Sequence, residues 1–133
     1  MRKMTLAVLA VLVIICTLAA CSQPIAYPGS DLLVYEVTEP GETMRINVRD
    51  SDKAYTLTGV VVEFNDKQMG QIFEEKSHYI KDIVTDYLRL KTLGELANEP
   101  TERFSQDIAA LINARFQISS VQNVNLPGFV VYQ

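Results

Sequence analysis

Apolar and polar positions alternate along this chain with periods that change three times, and each change predicts an element. Met4 to Ala20 is an uninterrupted charge-free run behind Arg2 and Lys3. Leu32 to Val37 is a short β-branched and aromatic block closed by Glu39-Pro40-Gly41-Glu42, a strand followed by a turn. Thr43 to Val48 then sets Met44, Ile46 and Val48 against Thr43, Arg45 and Asn47, the period-two signature of a strand with one buried face. After Asp50-Ser51-Asp52-Lys53, Ala54 to Phe64 reads as the longest strand. Its polar residues thin out toward Val60-Val61-Val62, as in a strand covered on both faces, and Gly59 marks a bulge or a close backbone approach.

Past Phe64 the period becomes helical. With Asn65 as cap and Gln68 as its reciprocal partner, Met69, Ile72, Phe73, Ile80, Ile83, Val84, Tyr87 and Leu88 predict one long helix. Glu74, Glu75, Lys81, Asp82 and Asp86 occupy its other side. Thr92-x-x-Glu95 is a second capping box, opening a short helical turn that Asn98-Glu99-Pro100 closes. The next helix carries Phe104, Ile108, Leu111, Ile112 and Phe116 on one stripe, which is read as core, as is that of the long helix. Val121 to Tyr132 returns to strand character, with Pro127-Gly128 forcing a bulged or edge position. The order β-β-β-α-α-β is that of one α+β domain over residues 31–133, without internal repeats.

The first run decides where that domain resides. Leu6 to Ala20 is fifteen residues, and such a helix reaches roughly 22 Å, short of the ~30 Å hydrocarbon core. A basic start, an apolar middle and small residues at the end are the parts of a secretory signal peptide. Leu18-Ala19-Ala20-Cys21 looks like the bacterial lipobox, in which the Cys21 thiol takes a diacylglyceryl group and becomes the first mature residue. The alternative is an uncleaved anchor helix over the same residues, spanning a slightly thinned bilayer. In both readings residues 1–20 are signal or anchor, and two positive charges before the run send the rest across the membrane. Residues 21–30, with Pro24, Pro28 and Gly29, read as a tether whose nine residues after Cys21 extend to about 30 Å. Ser22 after Cys21 is of the type that, in enteric-type sorting, lets a lipoprotein leave for the outer membrane, so both membranes stay open.

Charge and candidate chemistry narrow the function. Without Arg2 and Lys3 the chain keeps ten basic against 16 acidic side chains and has no basic block, so nucleic acid is not an expected partner. Cys16 lies within the apolar run and Cys21 is the lipidation candidate, which leaves the domain no disulfide. Asp50-x-Asp52 begins like a calcium loop, but Tyr55 stands where a glycine is required and Val61 where a bidentate Glu belongs, so it reads as a hairpin turn. Glu75-x-x-His78 has di-iron ligand spacing, yet His78 is the only histidine, and a solvated helix face is the better reading. Ser77 and His78, as helix neighbours, point about 100° apart and do not pair as nucleophile and base. No CxxC or Gly-rich phosphate loop occurs; no metal or cofactor is expected, and the chain reads as a non-enzyme.

From about Asp31 to Gln133 the chain resembles the flagellar basal body-associated protein FliL family. The resemblance lies in an ordered set of segments: Ile46-Asn47-Val48, Val60-Val61-Val62-Glu63-Phe64, and Ile80 to Val84 leading to Tyr87-Leu88-Arg89-Leu90-Lys91-Thr92-Leu93-Gly94-Glu95-Leu96. Phe104 to Asn113, Val121 to Val124, and Phe129-Val130-Val131 with Gln133 at the end complete it. It implies a single domain similar to the stomatin/prohibitin (SPFH-like) fold, at the periplasmic face of the inner membrane. There it would assemble with itself in a ring around flagellar stator proteins and support rotation. A rival reading is a periplasmic lipoprotein of the same fold acting as a general binding or chaperone module. Lys67, Lys76, Lys81, Arg89 and Lys91 are the available cations, some of them expected to face acidic residues of a neighbour or of the stator.

Overall fold

Two groups of short strands flank four helices. The computed structural model describes Ile25–Ala26 and residues 31–131; the apolar run, Cys16, Cys21, the remainder of the tether, Tyr132 and Gln133 lie outside the described residues. Strands β1 (Ile25–Ala26), β2 (Leu33–Glu36), β3 (Met44–Asn47), β4 (Ala54–Leu57) and β5 (Val61–Phe64) come first. Helices α1 (Met69–Glu75), α2 (Ser77–Arg89), α3 (Leu93–Asn98) and α4 (Thr101–Phe116) follow, and β6 (Val121–Asn125) and β7 (Val130–Val131) end the chain. The expected α+β order is therefore present. The strand β1 is an addition, placed within the stretch read as tether, where Ile25 pairs with Val34 and Ala26 with Leu33.

The strands make two antiparallel sheets, ordered β1-β2-β5-β6 and β3-β4-β7. The single strand expected from Ala54 to Phe64 is thus divided between them, and so is its partner from Val121 onward. Register explains the division. Tyr55 faces Val131 and Thr56 faces Val130 on one side of the break; Val61 faces Asn125 and Val62 faces Val124 on the other. The count is unbroken, so Thr58 falls opposite Gly128 and Gly59 opposite Pro127. Both strands bend at the same rung. Thr58 donates its backbone N–H (3.2 Å) and its hydroxyl (3.1 Å) to the Pro127 carbonyl. A Cβ on Gly59 would stand 2.8 Å from Pro127 Cγ, and one on Gly128 would overlap the Thr58 hydroxyl. The close approach expected at Gly59 is real, and Pro127-Gly128 is its other half. Buried Thr38 closes the inner side, its hydroxyl accepting from the Val60 N–H at 3.1 Å while the Val37 N–H donates to the Val60 carbonyl at 2.8 Å.

The long helix also departs from expectation. Asn65 is still tied to the sheet, its N–H donating to the Ser120 carbonyl at 3.1 Å, and it stands four residues ahead of the helix, too far to cap it. Asp66 turns the chain instead, Oδ1 accepting from the Gln68 N–H at 2.9 Å, and the helix starts at Met69. It then breaks at Lys76 (φ −117°, ψ 22°) into α1 and α2, within the polar run Glu74 to His78, where no apolar side chain ties the backbone to the core. The capping box of α3 is as expected: Thr92 Oγ1 accepts from the Glu95 N–H (3.2 Å) and Glu95 Oε2 from the Thr92 N–H (2.7 Å). Pro100 leads into α4, which ends at Gln117 in the left-handed region (φ 55°). The Asn113 side chain then clasps both backbone groups of Val121, at 2.9 and 3.1 Å, and sets β6 beside its helix.

Tyr55, Phe64, Phe73 and Phe104 are fully buried, with Phe73 edge-on to Phe64 (5.0 Å) and Phe116 (5.9 Å). The Tyr55 phenol stacks on Phe129 at 5.4 Å, and burial, assisted by Asp50 and Glu95, pushes its pKa up to about 12. Asp50-x-Asp52 does sit in the β3–β4 hairpin turn, closed by Val48 N–H to the Lys53 carbonyl (3.0 Å), and Asp50 Oδ1 accepts from the Leu93 N–H at 2.9 Å.

Two outcomes follow from these contacts. Gly128→Ala should destabilise the domain by about 3 kcal/mol, because a positive φ and steric overlap act together. Gly41→Ala, at φ 82° with open space around it, should cost about 1 kcal/mol; urea midpoints of the two variants measure the difference. The second concerns acid. Lys81 holds the Glu42 carboxyl below the usual value of 4.5, and the Thr92 N–H does the same for Glu95. Both carboxylates favour the folded state above pH 4.5, and that contribution disappears as pH falls through their lowered folded values. The urea midpoint should therefore drop below pH 4.5, and Glu95→Gln should start lower at neutral pH but fall less on acidification.

Candidate functional site

Helices α2 and α4 run antiparallel, as two cross-helix contacts show. The Arg115 guanidinium lies 5.5 Å from the centre of the Tyr79 ring, and eight residues along, the Tyr87 hydroxyl donates to Asp107 Oδ2 at 2.6 Å. One stripe of each helix enters the core: Ile80, Val84 and Leu88 from α2, Phe104, Ile108 and Ile112 from α4, all fully buried. A second apolar stripe lies beside the first. Ile83 and Tyr87 on α2 and Ala110 and Leu111 on α4, with Leu90 just past α2, line an open groove of about 730 Å³. Leu90 is 66% exposed and Leu111 43%.

This corrects one expectation. The apolar spacing puts Leu111 on the core stripe of its helix, yet it faces out, because successive helical residues point about 100° apart and Ile112 takes the inward position. The adjacent pair Leu111-Ile112 was the signal in the sequence that one of the two is surplus to the core. Ile83, also read as core, is half-buried at the floor of the groove.

The two ends of the groove differ in charge. Arg115 closes one; Asp86 and Asp107 close the other. Burial, reinforced by the hydrogen bond to Asp107, raises the Tyr87 phenol well above its ordinary value, so it stays a donor. Lys91 lies 4.9 Å over the Tyr87 ring and 5.7 Å over Phe104, with Glu99 at 3.9 Å. Such a surface can take up apolar side chains and orient them by a cation at one end and carboxylates at the other.

The remaining candidates are dispersed. Cys21 lies outside the described residues. Glu75 and His78 flank the α1–α2 junction and are exposed, and the His78 ring contacts only its neighbour Tyr79 in the aromatic set, at 4.1 Å. Among the described residues no group of three or more His, Cys, Asp or Glu is placed to hold a metal ion. Of the five cations from which contacts with a neighbour or the stator are expected, three have an acidic partner within the domain: Lys81 with Glu42 (2.8 Å), Arg89 with Asp86 (3.9 Å) and Lys91 with Glu99 (3.9 Å). Arg115, which the sequence reading passed over, is the cation at the groove. A second cleft of about 430 Å³ between α4 and β6 is lined partly by Asn123 and Asn125, whose amides already donate to Glu63 at 3.4 and 2.6 Å.

No protein-family model matches the chain, and no curated protein matches it. Among the described residues no helix is long and apolar enough to cross a membrane.

The division of each helix into an inner and an outer stripe is directly testable. Ile112→Asp buries an unpaired carboxylate and should cost several kcal/mol, a large part of the ~5 to 15 kcal/mol typical of a domain. Leu111→Asp should stay within about 1 kcal/mol of the parent and melt cooperatively, as read by circular dichroism in urea.

Proposed function

We propose that this chain is a non-enzymatic, membrane-anchored interaction domain of the flagellar motor, with an SPFH-like fold, which associates with stator proteins and with itself and supports rotation. The observation that carries the interaction half is the groove between α2 and α4, an apolar surface with unlike charges at its ends on a domain whose core is already complete. The motor half is supported by the ordered resemblance to FliL-family segments from Ile46 to Gln133. The strands and helices that those segments occupy follow one another as that reading requires, apart from the bend at Gly59 and the break at Lys76.

Anchoring is at Cys21 through lipid, or through an uncleaved helix over residues 4–20, with the domain on the periplasmic face of the inner membrane. Pairing of β1 shortens the reach. Only three residues separate Cys21 from Ile25, about 14 Å at full extension, against the about 30 Å of a nine-residue tether. A general binding or chaperone lipoprotein of the same fold is the rival, since the groove would also accept apolar side chains of an unfolded chain.

Membrane extraction and affinity purification of the full chain test the reading. Stator subunits should co-purify, and Leu111→Asp should weaken their recovery without reducing the amount of folded protein. Recovery of many unrelated periplasmic proteins and no stator would favour the chaperone reading. Cys21→Ser should leave a heavier precursor if lipid is the anchor and unchanged mobility if a helix is.

A further inference from the structure

The charges at the groove are spaced so that the surface is complementary to itself. Arg115 and Asp107 are eight residues apart on α4, about 12 Å along the axis, and exposed Leu111 stands midway between them. An occupant that satisfies both ends is a helix with a central apolar residue, an acid on one side and a base on the other, laid antiparallel to α4. Helix α4 itself has that arrangement.

We infer that the α2–α4 face docks a second copy of this chain about a two-fold axis through Leu111, with Arg115 of each copy against Asp107 and Asp86 of the other. Such a contact is isologous and closes with two copies, so it is distinct from the lateral contacts that build a ring. On α4 the charged groups facing it are Arg115, Asp107, which already accepts from Tyr87, and Arg103 one turn before Asp107, 4.0 Å from Glu99. On α2 they are Asp86 and, 3.9 Å from it, Arg89, with Lys91 just past the helix over the Tyr87 ring. Parallel docking would instead set Arg115 against Arg115 and the carboxylates against each other, which like-charge repulsion disfavours.

The pair is weak by construction. A stable interface buries about 1,200 to 2,000 Å² in total, and Tyr79, Leu90 and Leu111 are the large apolar side chains left exposed among the described residues. Confinement to one bilayer raises the effective concentration enough for a weak contact to be populated. In that respect the inference rests on the anchoring in the proposed function, and the two-fold axis must then stand normal to the membrane.

A cysteine on a two-fold axis meets its own counterpart, and a disulfide requires Cα atoms within about 7 Å. Full-length chain carrying Leu111→Cys, oxidised mildly in native membranes, should therefore give a disulfide-linked dimer above the wild-type background. Gln71→Cys, exposed on α1, should not. Adding Arg115→Asp should reduce the Leu111→Cys dimer to background, and co-expression of that chain with one carrying Leu111→Cys and Asp86→Lys should restore a mixed dimer. No dimer above background at Leu111→Cys, equal linking at Gln71→Cys, or a linked product with a different protein would each overturn the pairing. No dimer at Leu111→Cys with stator recovery intact refutes pairing alone; a dimer without stator recovery leaves pairing standing and refutes the motor reading.

Discussion

The fold depends on one rung of backbone, the place where Thr58-Gly59 and Pro127-Gly128 cross from one sheet to the other together. The register carries across the bend from Tyr55 to Glu63, so β4–β5 and β7–β6 are one antiparallel ladder bent in the middle, with a shift only at Phe64. A bend in one strand alone would strand its partner's N–H and carbonyl groups in the interior, which is costly. Here each side supplies what the other needs. Gly59 leaves room for the ring of Pro127, Gly128 leaves room for Thr58, and the proline's missing N–H is matched by a carbonyl that takes two donors from Thr58. Thr38 then satisfies the Val60 N–H, which the bend has turned away from its ladder.

Everything else is placed by that bend. Because β5 and β6 leave it side by side, the chain between them, with all four helices, must start and finish on adjacent strands. Asn113 fixes the return by clasping Val121, and Phe73 fills the space between Phe64 on β5 and Phe116 at the end of α4. A few buried polar atoms stay without a hydrogen-bond partner, among them the Tyr55 hydroxyl and Ser120 Oγ. Glu99 Oε2 is another, although Lys91 and Arg103 stand at 3.9 and 4.0 Å, close enough to compensate its charge but beyond hydrogen-bonding distance.

Much of this was legible in the chain and some was not, for separable reasons. The alternation of Met44, Ile46 and Val48, the hairpin at Asp50 to Lys53 and the Thr92–Glu95 box depend on neighbours in sequence, and all are present as read. The split of Ala54 to Phe64 depends on a strand some seventy residues later; Gly59 hinted at a close approach, but only pairing with Pro127 turns it into a change of sheet. The break at Lys76 was hidden because the apolar spacing on either side fits one helix, while the five polar residues between carry no packing to enforce it. The groove escaped because a stripe of apolar residues was equated with core. Leu111-Ile112 and Ile83-Val84 are adjacent pairs, and a helix lying on one layer can bury only one member of each fully.

The order of the strands separates the start of the described domain from its groove. β1 is at one edge of its sheet and β6 at the other, three strand spacings away, about 14 Å. Helix α1 packs near the first edge through β2, and α4 packs along β6. Under the proposed anchor before β1, the α2–α4 groove would belong to the sheet edge away from the attachment, open to a neighbour. In a chain with 16 acidic and 12 basic side chains, net charge −4, a contact that sets unlike charges against each other avoids the repulsion felt within a screening length of about 8 Å. Lys81, Arg89 and Lys91 have acidic partners within the domain, whereas Arg115, stacked on Tyr79 at the groove's end, combines a fixed position with an exposed apolar surface.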